Sequence, residues 1–167
     1  MEEAAVKALV QVTSVRQDNM IRRLERADYP SVVKLLERFA WATEFDLLKK
    51  EQYSHEHVQQ VLLRCERAGI SFVSLDGTRI TGCILSCLVP DLWIPEIVRL
   101  RELAWYVDPD YQGQGHGREL YKAYVYQAEH WRRQGRITGY TMSKLTSSPQ
   151  IDYPGFRHVE STYMIGA

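Results

Sequence analysis

Gly113, Gly115 and Gly117 alternate with polar residues in the stretch VDPDYQGQGHGRELY, Val107 to Tyr121. A strand-like run ends just before them and a helix-like run begins just after. The first turn of a helix carries main-chain N–H groups with no partner inside the helix. The aligned peptide dipoles add partial positive charge at the same place. Glycines remove the Cβ atoms that would hold a ligand away. Together these features favour a phosphate or diphosphate. Arg118, just inside the helix, brings a side-chain charge, and His116 lies in the turn itself.

Two common phosphate motifs do not fit. The nucleoside-triphosphate loop needs G-x-x-x-x-G-K-[ST], and the chain has no such Lys–Ser/Thr pair at this turn. The dinucleotide fingerprint needs G-x-G-x-x-G early in a parallel βαβ unit. Here the spacing is G-x-G-x-G, and the turn comes late, after a hairpin signal. A metal reading of His55-Glu56-His57 also fails, because residues two apart on a helix point to different sides and no H-E-x-x-H is present.

A third pattern does fit. Gln112-Gly113-Gln114-Gly115-His116-Gly117 reads Q-x-x-G-x-G and follows Val107-Asp108-Pro109-Asp110-Tyr111. It resembles the acetyl-CoA-binding motif of the GNAT N-acetyltransferase superfamily. The order of elements from Met20 to the end is similar to that family's, and YPGFRHVESTYM resembles its late segment. The alternative is a plain loop with helix-starting glycines.

The resemblance implies an acetyl-CoA co-substrate. Its amide-bearing arm would pair with the main chain of Trp105, Tyr106 and Val107 at an exposed strand edge, which offers matching donors and acceptors. Its diphosphate would meet the amides of Gln112, Gly113, Gln114, Gly115, His116, Gly117 and Arg118. The thioester would point toward Glu102. Acetyl transfer to an amine then proceeds by direct attack in a ternary complex, with no metal. The amine must lose its proton to a base, and the developing oxyanion needs a hydrogen-bond donor.

Glu102 is the expected base. Strand alternation places Leu100, Glu102, Ala104 and Tyr106 on one face, and a carboxylate among apolar neighbours has a raised pKa. The competing reading pairs Glu102 with Arg99, Arg101 or another cation. Glu96 is a weaker alternative. Tyr153 is the expected acid, although the family's tyrosine falls at the position of Ile151 here, and Pro149 and Pro154 disfavour a helix. A structural Tyr153, another residue or water remains open. The acceptor would be gripped by WATEFD and PDLWIP. Trp41, Phe45 and Trp93 would form an aromatic wall, and Glu44, Asp46 and Asp91 would attract an ammonium. The altered C-terminal segment keeps open a catalytically inactive acyl-CoA-binding or regulatory module of the same fold. A phosphate-ligand binder unrelated to acyl transfer is a third reading.

These residues need elements to hold them. Met20–Glu25 reads as a strand. Asp28 and Pro30 signal a helix with Val32, Leu35, Leu36 and Phe39 on one face. A second helix follows Ser54, with Val58, Val61, Leu62 and Cys65 inward and Gly69 as its stop. ISFVSLDGTRITGCILSCLV predicts a hairpin about Asp76-Gly77. Arg99–Val107 is the next strand. The helix after the glycine turn runs to about Gln134, with Leu120, Tyr121, Tyr124, Val125, Ala128 and Trp131 inward. RITGYTM and FRHVESTYMI read as further strands. The expected fold is α/β (α+β), the GNAT fold: a mixed, mostly antiparallel sheet flanked by helices, with splayed middle strands.

The 167 residues suit one domain, with 1–19 as an N-terminal extension and 20–167 as the acetyltransferase domain. Twenty-one basic and twenty-one acidic residues balance, which argues against nucleic-acid binding through bulk charge. No segment is expected to engage a membrane. Cys65, Cys83 and Cys87 read as reduced core thiols, so a cytoplasmic protein is expected. An N-terminal extension and a strand-rich C-terminus offer surfaces for a homodimer. The identity of the amine acceptor is not readable.

Overall fold

The computed structural model describes residues 20–42, 53–143 and 155–158. Five strands form one sheet in the order β1-β2-β3-β4-β5. They are β1 (Met20–Arg23), β2 (Phe72–Asp76), β3 (Arg79–Pro90), β4 (Val98–Val107) and β5 (Gly139–Thr141). The first four are joined antiparallel, and β5 runs parallel to β4. Three helices flank the sheet: α1 (Tyr29–Ala42), α2 (His55–Ala68) and α3 (His116–Arg133). This is the expected fold class. The expected last strand, the extension 1–19, Phe45 and Tyr153 lie outside the described residues.

The core has two layers, one on each face of the sheet. Val32, Val33 and Leu35 of α1 and Leu62 and Cys65 of α2 pack on Val73, Cys83 and Leu85. Leu120, Tyr124, Ala128 and Trp131 of α3 pack on Ile84, Leu100 and Val107 on the opposite face. Spacings of three and four, as in Leu62 and Cys65 or in Leu120, Tyr124, Ala128 and Trp131, turn one stripe of a helix inward. Ser54 caps α2 by accepting the His57 N–H at 3.2 Å, which satisfies one of the orphan amides there. Burial pushes the Cys65 and Cys83 thiols up to about 12, so both stay as neutral apolar groups.

Two expectations about glycines need correction. Gly69 ends α2, but its φ is −145°, extended backbone open to any residue. The glycine is required by crowding instead, since a Cβ there would sit 1.8 Å from Ser86 O. The hairpin loop is Gly77–Thr78, because Asp76 pairs with Arg79, and Gly77 takes the positive φ of +57°. The first strand ends at Arg23, and a short 3₁₀ turn at Arg26–Asp28 leads into α1.

The sheet slips register twice. On β3, Ser74 pairs with Gly82 and Leu75 with Ile80, so Thr81 is an extra residue. On β4, Leu85 pairs with Ala104 and Ser86 with Glu102, so Leu103 is extra. Each is a bulge, which turns the side chains on either side of it relative to a regular strand. Contact between β4 and β5 covers only Arg99–Arg101. Beyond Arg101, no described strand lies on that edge of β4, since β5 ends at Thr141. Among the described residues no helix is long and apolar enough to cross a membrane.

Candidate active site

The glycine turn is built as a ligand cradle requires. A 3₁₀ turn at Pro109–Tyr111 leads into it, and Gly115 is the N-cap of α3. Gly113 and Gly115 have φ of +76° and +96°, a region that penalises any side chain. A Cβ on Gly113 would meet nothing within 4 Å, so the space above the turn is open. The first intrahelical bond joins Glu119 N–H to Gly115 O at 3.0 Å, so the amides of His116, Gly117 and Arg118 precede the helical ladder. The residues present therefore fit a diphosphate.

The side chains of the turn are mostly engaged in holding its shape. Gln112 Nε2 donates to Val107 O at 2.9 Å, and Gln114 Nε2 donates to Asp110 O at 2.8 Å. His116 is 2 % exposed, with Nδ1 3.0 Å from Thr81 Oγ1 and its ring edge-on to Tyr111. Its imidazole is thus directed into the protein, and only its main chain can reach a phosphate. Burial pushes its pKa down. Arg118 is mostly exposed, with Nε 3.5 Å from Glu119 Oε1.

Asp108, immediately before the turn, carries more of the architecture than the sequence signalled. Its buried carboxylate accepts from Arg38 of α1 at 2.7 Å and from Arg79 of β3 at 3.3 Å. Its other oxygen accepts the Asp110 N–H at 3.3 Å. Arg79 also lies over the Tyr111 ring, 5.1 Å from the centroid.

Along β4 the three expected edge residues separate. Asp108 N–H donates to Thr81 O on β3 at 2.8 Å. Successive amides of a strand point to opposite edges, so Tyr106 also turns its main chain to β3. Trp105 and Val107 turn theirs to the other edge of β4, where Val107 O accepts from Gln112 Nε2. The Tyr106 ring packs on Phe39, centroids 4.9 Å apart, while Trp105 stacks on Tyr121 of α3.

Glu102 is 5 % exposed. Its Oε2 accepts the Ser143 main-chain N–H at 2.9 Å, and burial raises its pKa to about 7. The alternative pairing with Arg99 is not what forms, since Arg99 donates to Asp91 at 2.5 Å. The expectation of one face for Leu100, Glu102, Ala104 and Tyr106 is half right. All four are buried, but Leu100 belongs to the α3 layer and Ala104 and Tyr106 to the α1–α2 layer. The bulge at Leu103 switches the face, and it leaves the Leu103 amide without a Cα partner on β3, next to the carboxylate.

The acceptor side is less enclosed in the described residues. Trp41 meets Tyr53, centroids 6.0 Å apart. Trp93 is 83 % exposed at the tip of the β3–β4 hairpin. Asp91 is committed to Arg99 and to the Trp93 and Ile94 N–H groups, so it shapes the loop and is not available as a bare charge for an ammonium. Among the described residues no group of three His, Cys, Asp or Glu side chains could hold a metal ion.

The described strands form one mixed sheet, and the glycine turn after β4 opens α3. The chain belongs to the acetyltransferase (GNAT) family, whose sequence model matches residues 20–144. Solved structures agree on the fold. An acetyltransferase of Trypanosoma brucei shares 22 % identity, with 90 % of this chain and 100 % of that chain covered and a TM-score of 0.60. An aminoglycoside acetyltransferase from an uncultured soil metagenomic sample shares 19 %, covering 88 % and 96 %, with a TM-score of 0.57. A ribosomal-protein-alanine N-acetyltransferase of Brucella melitensis shares 16 %, covering 87 % and 96 %, with a TM-score of 0.56. No curated protein sequence matches the chain.

Proposed function

We propose that the protein is an acetyl-CoA-dependent N-acetyltransferase acting on a primary amine by direct attack in a ternary complex, in the cytoplasm. The observation that carries the proposal is Glu102, a buried carboxyl titrating at about 7 beside the place where β4 loses its partner strand. A base with that pKa is half ionised at neutral pH and still basic enough to take a proton from an ammonium, directly or through one water.

The rest of the site falls in line along β4. Main-chain groups of Trp105 and Val107 would hold the amide-bearing arm of the acyl donor, and the amides from Gln112 to Arg118 would hold its diphosphate. That places the thioester toward Glu102. The Leu103 main-chain N–H, at the bulge, would be the donor for the negative charge that develops on the carbonyl oxygen. An ammonium acceptor gives one proton to Glu102 and from there to solvent; the freed nitrogen bonds to the acyl carbon and sheds its other proton to water as the carbon–sulfur bond breaks, and a second proton is delivered to the leaving thiolate. Tyr153 or water supplies that second proton. Trp41, Phe45 and Trp93 are the proposed acceptor contacts.

Calorimetric titration with acetyl-CoA tests donor binding, and a screen of primary amines for CoA release tests turnover. Heat of binding and amine-dependent thiol release, both absent in Gly115→Glu, are the expected results. Binding without turnover on any amine would leave a catalytically inactive acyl-CoA module. No binding at millimolar acetyl-CoA would overturn the proposal.

A further inference from the structure

Thr81 is fully buried, and it is the residue that β3 carries in excess of β2. Bulges re-aim side chains and cluster near functional sites. This one aims two oxygen atoms of Thr81 at the two ends of the glycine turn. The main-chain oxygen accepts Asp108 N–H at 2.8 Å. The hydroxyl oxygen lies 3.0 Å from His116 Nδ1. Asp108 is the last residue before the turn and His116 is the first helical residue after it, and both are buried. Residues 109 to 115, between them, all reach solvent at least in part.

The hydroxyl is also fixed from its other side. Ser74 Oγ lies 3.0 Å from Thr81 Oγ1, and the Thr81 hydroxyl donates to Ser74 O at 3.2 Å. One proton and two lone pairs suffice for both neighbours at once. Gly82, next in sequence, admits the close approach, since a Cβ there would stand 2.8 Å from Ser74 Oγ and 3.0 Å from Tyr106 O.

We propose that Thr81 is a positioning residue, a two-point clamp that fixes the span from Asp108 to His116 and so pre-sets the amides of the glycine turn for a diphosphate. This deepens the acetyl-CoA reading and rests on it. Without the hydroxyl, one anchor of an otherwise exposed turn is released. The loss falls on the ligand's diphosphate and not on its pantetheine arm.

The test measures CoA affinity by calorimetry and pantetheine affinity by ligand-observed NMR in the parent, Thr81→Ser and Thr81→Val, with thermal unfolding of each. Thr81→Val keeps the shape and the main-chain oxygen but removes the hydroxyl. It should weaken CoA by about tenfold, the equivalent of ~1.4 kcal/mol, with pantetheine unchanged. Thr81→Ser should stay close to the parent. Where Thr81→Val fails to fold, the double variant Thr81→Val, His116→Leu replaces the clamp with an apolar contact and should show the same selective loss. Unchanged CoA affinity, an equal loss for CoA and pantetheine, or a serine variant as weak as the valine one would overturn the clamp. A parent that binds neither ligand would overturn the acetyl-CoA reading itself, and the clamp with it.

Discussion

A carboxyl group buried as deeply as that of Glu102 is held neutral well above its ordinary range, because ionisation in a low-dielectric setting is costly. With its pKa at about 7, the base form gains population as pH rises through 7, and the acetyl-transfer rate should rise with it. Glu102→Gln should lower kcat by about 10²- to 10⁴-fold and abolish that limb of the pH–rate profile. Stability should move the other way. Between the ordinary glutamate pKa and 7 the folded state holds a proton that the unfolded chain has lost, so folding stability falls as pH rises across that window. In Glu102→Gln that decline should be absent, a difference on the order of 3 kcal/mol above pH 7, measurable by urea unfolding at pH 5 and pH 8. The burial of Glu102 was legible from alternation, since positions 100, 102, 104 and 106 are indeed buried. Its face was not, because the bulge at Leu103 is set by pairing with β3 and leaves no mark in the pattern of β4 itself.

At the scale of elements, glycines do separable jobs here. Gly115 takes φ +96° at the start of α3. Gly115→Ala should cost about 1–2 kcal/mol through the left-handed backbone alone and should also weaken acetyl-CoA binding. Gly69 has no such backbone demand, but a Cβ would strike Ser86 O on β3. Gly69→Ala should therefore destabilise by about 3 kcal/mol, roughly a 10 °C fall in Tm, with little change in cofactor affinity once the protein is folded. The two variants together distinguish a glycine kept for the ligand from one kept for packing. Helix starts and the tight hairpin were readable because Ser54 and Gly77 act locally, although the loop falls one residue later than Asp76-Gly77. Thr81 and Asp108 were not singled out, because Arg38 and Arg79 for Asp108, and Asp108 and His116 for Thr81, lie tens of residues away along the chain. The polar Thr81 followed by Gly82 inside a strand was the available signal for a bulge.

Across the whole molecule, Asp108 joins α1 through Arg38, β3 through Arg79, and the glycine turn through its own main chain. Both core layers thus meet at one end of β4, next to where the acyl donor is proposed to bind. Binding there should be felt globally. At about 100 times its dissociation constant, acetyl-CoA should stabilise the fold by ~2.7 kcal/mol and raise Tm by roughly 5–10 °C, and Gly115→Glu should abolish the rise. Asp108→Asn should lower Tm and shrink this ligand-induced increase.

Among the described residues the pairing of β4 with β5 stops at Arg101, and this bears on the protein without its donor. A sheet margin with no further strand is a template for any extended chain. The donor-free protein should accordingly show concentration-dependent light scattering on storage that saturating CoA suppresses, so that the co-substrate doubles as a guard against self-association.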